Sequence, residues 1–291
     1  MPKPVRQVPE DPKLDFTING FFRSLVTDLK TVYNTGMWSP AIPLKNLLYN
    51  LGFFARTVVG LSNFIRNKAS YKILIMQILF TFVHALGIST LLALAIGAAV
   101  NIIGVPFLTM LNQQQLMYTL LIIIITRELG PLLTAFIVIA RSATAIATEI
   151  AGMVISHEVE AYISVGVDPI EHLAVPRFLG VTTSLFLLNI YFSVFGLAGS
   201  YIIAQMFNST PMAFYFTNLL QQLQIQDIFI SITKSIANGA IISIVAVVQG
   251  FSVERASTEV PVAGLKAVSS AFVLCIVVNV LLSVLYYILL A

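Results

Sequence analysis

Five long apolar runs divide this chain, at about residues 71–100, 116–155, 178–207, 228–253 and 267–290. The hydrocarbon core of a bilayer is about 30 Å thick, so about 20 apolar residues in a helix suffice to cross it. Only 10% of the 291 residues are charged and 58% are hydrophobic. A soluble domain carries about 25% charged residues, and so few charges could not cover a water-facing surface. The chain therefore reads as an all-α integral membrane protein with five transmembrane helices.

The second run constrains the fold most. At about 1.5 Å per residue its 40 positions would span about 60 Å, twice the hydrocarbon core, so it must kink, project from the bilayer, or both. Pro131 supplies a kink point. The run also holds Arg127, Glu128, Arg141 and Glu149, and an intramembrane charge costs about 2.5–3.5 kcal/mol on insertion scales. At 100° per residue, Arg127, Arg141 and Glu149 share an arc of about 80°. Ala143, Ala147 and Ala151 lie opposite, at the four-residue spacing that lets helices approach closely. The alanine face is expected to press on a neighbouring helix, and the charged face to meet a cavity or a partner subunit. Arg127 and Glu128 read as polar points on a substrate path, because an arginine fork grips phosphate or carboxylate. Arg141 and Glu149 read equally as inter-helix charge pairs or as side chains reaching the interface.

Basic residues set the expected orientation. Ten of the 16 Lys and Arg residues fall between Lys3 and Lys72; Arg177, Arg255 and Lys266 occupy two later connections, and the connections at 101–115 and 208–226 carry none. The positive-inside rule then places the N-terminus in the cytoplasm and the C-terminus outside, in parity with five spans. Residues 1–43 read as a partly disordered extension, and 44–66 as an amphipathic helix lying in the interface. No apolar core follows the start, so the first span is expected to serve as the targeting element. His84, inside that span, reads as a packed, hydrogen-bonded residue rather than a proton relay. The polar stretch SHEVEAYISVGVDPIEHLAVPR (156–177) holds a short helix at about 157–166, stopped by Gly166 and Asp168-Pro169. With Glu158 and Glu160 exposed it suits docking on a soluble partner.

Several chemistries are absent. There is no P-loop, so ATP hydrolysis of that kind is not expected in this chain. One cysteine and three scattered histidines offer no metal-ligand spacing, and no GxSxG or HExxH marks a hydrolase. No catalytic residue, metal ligand or cofactor of its own is assigned. Asp227 and Lys234, at the start of the fourth span, read as interface or intersubunit residues.

The stretch TRELGPLLTAFIVIARSATAIATEIAGM (126–153) followed by HEVEAYISVGVDPIEHLAVPR (157–177) resembles the signature of the MlaE/YrbE permease family. DIFISITKSIANGAIISIVAVVQG (227–250) is similar to a later family segment. Departures occur at Ile139-Ala140, at Ser142, and over 251–266, where the family's glycine-rich run is replaced. The resemblance covers about residues 45–291. It implies the permease subunit of a lipid-moving ABC transporter, not an enzyme: an interfacial helix plus five spans, forming a homodimer. It implies cytoplasmic ATPase subunits that bind the ATP, an MCE-domain protein outside, and in some systems a STAS-domain subunit. The substrate class implied is phospholipid or related lipid, and the place a bacterial inner membrane, with the plastid inner envelope second. It also implies that Arg127 and Glu128 lie near the lipid path; Pro131, Arg141 and Glu149, on the same helix, are candidates for that path from their own place in the sequence. The ATPase-coupling segment would comprise His157, Glu158, Glu160, Gly166, Asp168 and Pro169. The alternative is a proton-coupled secondary transporter of an amphipathic substrate using Glu128, His84 or Glu149. A membrane enzyme acting on lipid headgroups is the third reading.

Overall fold

The structure is a computed structural model that describes residues 52–57, 60, 71–113, 115–208, 211–253 and 256–290. Five of its helices are long and apolar enough to cross a membrane: α1 (Tyr71–Met110), α2 (Leu116–Ile155), α4 (Ile170–Met206), α6 (Ile225–Phe251) and α7 (Glu259–Ile288). Two short helices join them, α3 (Glu158–Ser164) and α5 (Met212–Gln222). Among the described residues there is no strand. Residues 52–57 are helical; the rest of the expected interfacial helix, apart from Gly60, and the whole extension 1–43 lie outside the described residues.

What holds such helices together is close approach rather than burial from water, because lipid tails are as apolar as leucine. The sequence provides small or polar residues at every fourth position. In α1 the buried stripe is Gln77, Thr81, Ala85, Ser89, Ala93, Gly97 and Asn101. In α7 it is Ala263, Ala267, Ala271, Cys275 and Asn279. The alanine face expected on α2 packs as anticipated: Ala143, Ala147 and Ala151 are all fully buried. It meets α6 at Gly250, where a Cβ would stand 2.9 Å from the Ala147 carbonyl oxygen. α4 is central to the packing, lying against α1, α6 and the 130–138 part of α2. Against α1 the approach is so close that a Cβ on Gly97 would collide with the Gly196 carbonyl oxygen.

Several boundaries differ from the sequence reading: α4 begins at Ile170 rather than about 178, and α7 at Glu259 rather than about 267. α1 does not stop near residue 100 but runs on to Met110, carrying Pro106 inside it. Proline is tolerated in membrane helices because neighbouring groups re-satisfy the freed backbone, and the intervening residues are apolar. The chain turns only at Asn112, with φ 54, a left-handed conformation that asparagine adopts more readily than most residues. The expected loop at 208–226 contains α5, whose Tyr215 and Leu219 are buried against α1, α2 and α4.

Candidate functional site

Charges placed among apolar helices must find one another. In this chain they do so where α2, α6 and α7 meet. Arg127 Nη1 donates to Asp227 Oδ1 at 3.2 Å, and its Nε lies 3.6 Å from Glu128 Oε1. Its guanidinium carbon stands 4.4 Å from the Tyr286 ring centre and 4.6 Å from that of Tyr287, at cation–π distance. Lys234, fully buried, donates to Glu128 Oε2 at 2.8 Å, to Ser283 Oγ at 2.7 Å and to the Arg127 carbonyl at 3.0 Å. Ser283 in turn donates to Glu128 Oε2 at 3.0 Å. Two cations and two carboxylates make the cluster formally neutral, which is how a bundle interior carries charge at tolerable cost.

Each member has a local reason to be there. Asp227 is the third residue of α6, and its Oδ2 accepts from the Gln224 backbone N–H at 3.3 Å, closing a capping box. A carboxylate there also opposes the positive end of the helix dipole. Arg127 and Glu128 lie on a π-helical stretch, Ile122–Leu129, just before Gly130-Pro131. π turns are rare and concentrate at functional sites. The cluster is not sealed: the Glu128 side chain is 38% exposed, against 7% for Arg127.

The charges expected on one arc of α2 go to three different places. A second π stretch at Ile139–Ala143 intervenes, so the 100° periodicity does not carry from Arg127 to Glu149. Arg127 is buried against α6 and α7. Arg141 reaches α1, where it donates to the His84 carbonyl and contacts His84 Nδ1, both at 2.6 Å. That carbonyl is presented by a 3-10 turn, Val83–Ala85, in the middle of α1. His84 is thus hydrogen-bonded as expected; its side chain is exposed, with the ring 5.5 Å from that of Phe80. Glu149 pairs with Arg177 of α4 at 2.9 Å.

Asp227 and Lys234 are a correction. Their place is inside the bundle of this one chain, bonded to Arg127 and Glu128, rather than at an interface or between subunits. Arg127 lies 100 residues from Asp227 and Glu128 lies 106 from Lys234, and no local spacing announces that.

The 156–170 connection sits at the opposite end of the bundle, beyond the last residue of α2. His157 has φ 61 and Gly166 φ 79, so left-handed residues bracket α3 on both sides. His157 Nδ1 lies 2.9 Å from Glu160 Oε2, and Ser156 Oγ donates to Glu158 at 3.0 Å. No residue of α3 is buried; Ile163 within it and Val165 and Val167 after it are exposed. Asp168 closes the loop: its Oδ1 accepts from the Ile170 backbone N–H at 2.9 Å, and its Oδ2 pairs with Arg56 at 3.2 Å. Pro169 is buried and leads into the π turn Ile170–Ala174 that opens α4. Among the described residues no group of His, Cys, Asp and Glu could hold a metal ion.

Residues 74–285 match the family described as Permease MlaE. The chain belongs to that family. The match takes in all five spans, the charge cluster and α3. Among curated relatives, a probable ABC transporter permease protein of Rickettsia typhi is 27% identical over 242 residues, 82% of this chain and 92% of the relative. A probable ABC transporter permease protein of Synechocystis is 28% identical over 159 residues, 55% of this chain and 60% of the relative. The chloroplastic protein TRIGALACTOSYLDIACYLGLYCEROL 1 of Arabidopsis thaliana is 26% identical over 182 residues, 62% of this chain and 52% of the relative. This MlaE-family chain is thus a multi-pass transport subunit of the ABC permease kind, and not an enzyme.

Proposed function

We propose that this permease moves phospholipid or a related lipid across or between envelope membranes, driven by a separate ATPase subunit. The observation that carries this reading is the family match over the charge cluster and α3 together. The name of the Arabidopsis relative, which contains a diacylglycerol lipid, supports the substrate class. The N-terminus lies in the cytoplasm and the C-terminus outside, in a bacterial inner membrane, as the loop charges favour.

In this reading two copies form the working unit, with an MCE-domain protein on the external side and, in some assemblies, a STAS-domain subunit. Arg127, Glu128 and Pro131 border the lipid path from the external half, and Arg141 and Glu149 from the cytoplasmic half. Glu128 is the member of the cluster that water and headgroups reach, because its carboxylate is the exposed one. α3 and its flanks, from His157 through Glu158, Glu160 and Gly166 to Asp168 and Pro169, form the contact on the ATPase. Its exposed carboxylates and the apolar Ile163 and Val165 give that contact charge and grip. ATP binds the partner; closure of the ATPases pushes α3, and the push travels up α2.

Co-purification tests the reading. A P-loop ATPase should accompany the permease, and Glu158→Lys/Glu160→Lys should release it. Lipid should be found by mass spectrometry in the purified complex. Transport by the isolated chain on a proton gradient alone would overturn the reading in favour of a secondary transporter working through Glu128.

A further inference from the structure

Pro131 lacks the one donor that either of two carbonyls would use. In an α register the Arg127 carbonyl would accept from the backbone nitrogen of residue 131, four positions on. In a π register the Thr126 carbonyl would accept from the same nitrogen, five positions on. Proline has no hydrogen there. Both carbonyls belong to the stretch where π turns give way to α-helix at Gly130. With no water in the bilayer core, an unmet carbonyl is costly.

Both are met from α6. Ser231 Oγ donates to the Thr126 carbonyl at 2.7 Å, and Lys234 Nζ donates to the Arg127 carbonyl at 3.0 Å. One turn on, Asn238 Nδ2 donates to the Pro131 carbonyl at 3.2 Å. Positions 231, 234 and 238 stack on one face of a helix, and all three are buried. Their aim is fixed by further helices. Asn189 of α4 donates to Ser231 Oγ at 2.8 Å, and Asn279 of α7 donates to Asn238 Oδ1 at 2.8 Å.

We propose that Ser231 and Lys234 are positioning residues that stand in for the missing donor of Pro131, with Asn238 tying down the next turn. They convert the interruption in α2 from a loose hinge into a fixed joint. A displacement at the α3 end then reaches Arg127 and Glu128 as the swing of one rigid lever. That last consequence rests on the proposed docking of an ATPase at α3; the joint itself does not.

The test uses the full chain in lipid nanodiscs, with Cys275→Ala and spin labels at Leu120→Cys and Ser156→Cys, on either side of Pro131, diluted with an excess of unlabelled Cys275→Ala chain so that only the distance within one copy is read. The distance distribution should be single and narrow. Ser231→Ala should broaden it, Ser231→Thr should keep it narrow, and adding Pro131→Ala to Ser231→Ala should narrow it again, because the backbone regains a donor for the Thr126 carbonyl. Lys234→Met/Glu128→Gln should behave like Ser231→Ala, with the same rescue through the Arg127 carbonyl. A distribution that stays narrow in both variants, or one that Pro131→Ala fails to narrow, overturns the joint. A variant that folds only when Pro131→Ala is added supports it; one that stays unfolded in that background counts against it. Failure of any ATPase to bind the unaltered chain at α3, with these distances as expected, would sink the functional reading and leave the joint standing.

Discussion

Lys234→Met removes an ammonium while keeping a flexible apolar stem of similar length. Three acceptors lose their donor: Glu128 Oε2 at 2.8 Å, Ser283 Oγ at 2.7 Å and the Arg127 carbonyl at 3.0 Å. Removing one partner of a fully buried ion pair costs about 3–5 kcal/mol, because the other charge is stranded. Glu128 is only partly buried, with 38% of its side chain exposed, so solvent screening brings the expected cost to about 2–3 kcal/mol. Adding Glu128→Gln removes the excess negative charge, since Lys234→Met leaves Arg127 alone to face both Asp227 and Glu128. What then remains is the unmet carbonyl and hydroxyl, about 1 kcal/mol. The double variant should therefore be more stable than Lys234→Met alone by about 1–2 kcal/mol, although it carries one more substitution. Glu128→Gln alone should be worse than the double variant, since it leaves Lys234 charged and fully buried. Equilibrium unfolding of the purified protein in mixed micelles, run as a double-mutant cycle, measures all four states. If the double variant is as unstable as Lys234→Met, the stranded carboxylate is not the source of the loss and the electrostatic argument fails.

Other expectations follow from single contacts. Gly97→Ala drives a methyl into the Gly196 carbonyl, so overpacking should cost about 1–3 kcal/mol; an unchanged unfolding midpoint would show that α1 and α4 can separate freely. Asp168→Ala loses both the cap on Ile170 and the Arg56 pair and should cost about 1–2 kcal/mol, whereas Asp168→Asn keeps a capping oxygen and should cost under about 1 kcal/mol. Equal losses in a denaturation series would contradict that division. Burial pushes the Tyr215 phenol up to about 12 from its ordinary 10.0, against the lowering effect of its hydrogen bond with Ser200. The folded state therefore favours the neutral form: the contribution is complete below pH 10 and is lost as pH rises through about 12. An alkaline stability curve should show this loss, and Tyr215→Phe should remove it.

The spans were legible because hydrophobicity is local. Leu116–Ile155 could be bounded from the sequence to the residue, and the alanine face of α2 could be named, because a four-residue period needs only a few turns to show itself. The cluster was half legible. Arg127 and Glu128 stand out as charges in an apolar run, whereas their partners at 227, 234 and 283 belong to helices whose approach depends on the whole bundle. The arc drawn through Arg127, Arg141 and Glu149 failed for a specific reason. Two π stretches, at Ile122–Leu129 and Ile139–Ala143, alter the residues per turn, and apolar text of this kind does not reveal them. Pro131 pointed to an interruption in α2 but not to what would satisfy it. The stretch 101–115 read as a connection, yet its first ten residues, Pro106 among them, continue α1.

α3 has seven residues and no buried side chain. A helix that short does not sustain itself in water; here it leans on Glu158 and Glu160 at its positive end and on the His157–Glu160 contact. Its amides should thus trade hydrogen for deuterium within the earliest labelling times, while those of α6 stay protected. If a partner docks on α3 as proposed, deuterium uptake at 158–164 becomes a clock for assembly: the slower that segment labels, the more of the permease is engaged at any moment. The measurement needs no transport substrate and no mutation.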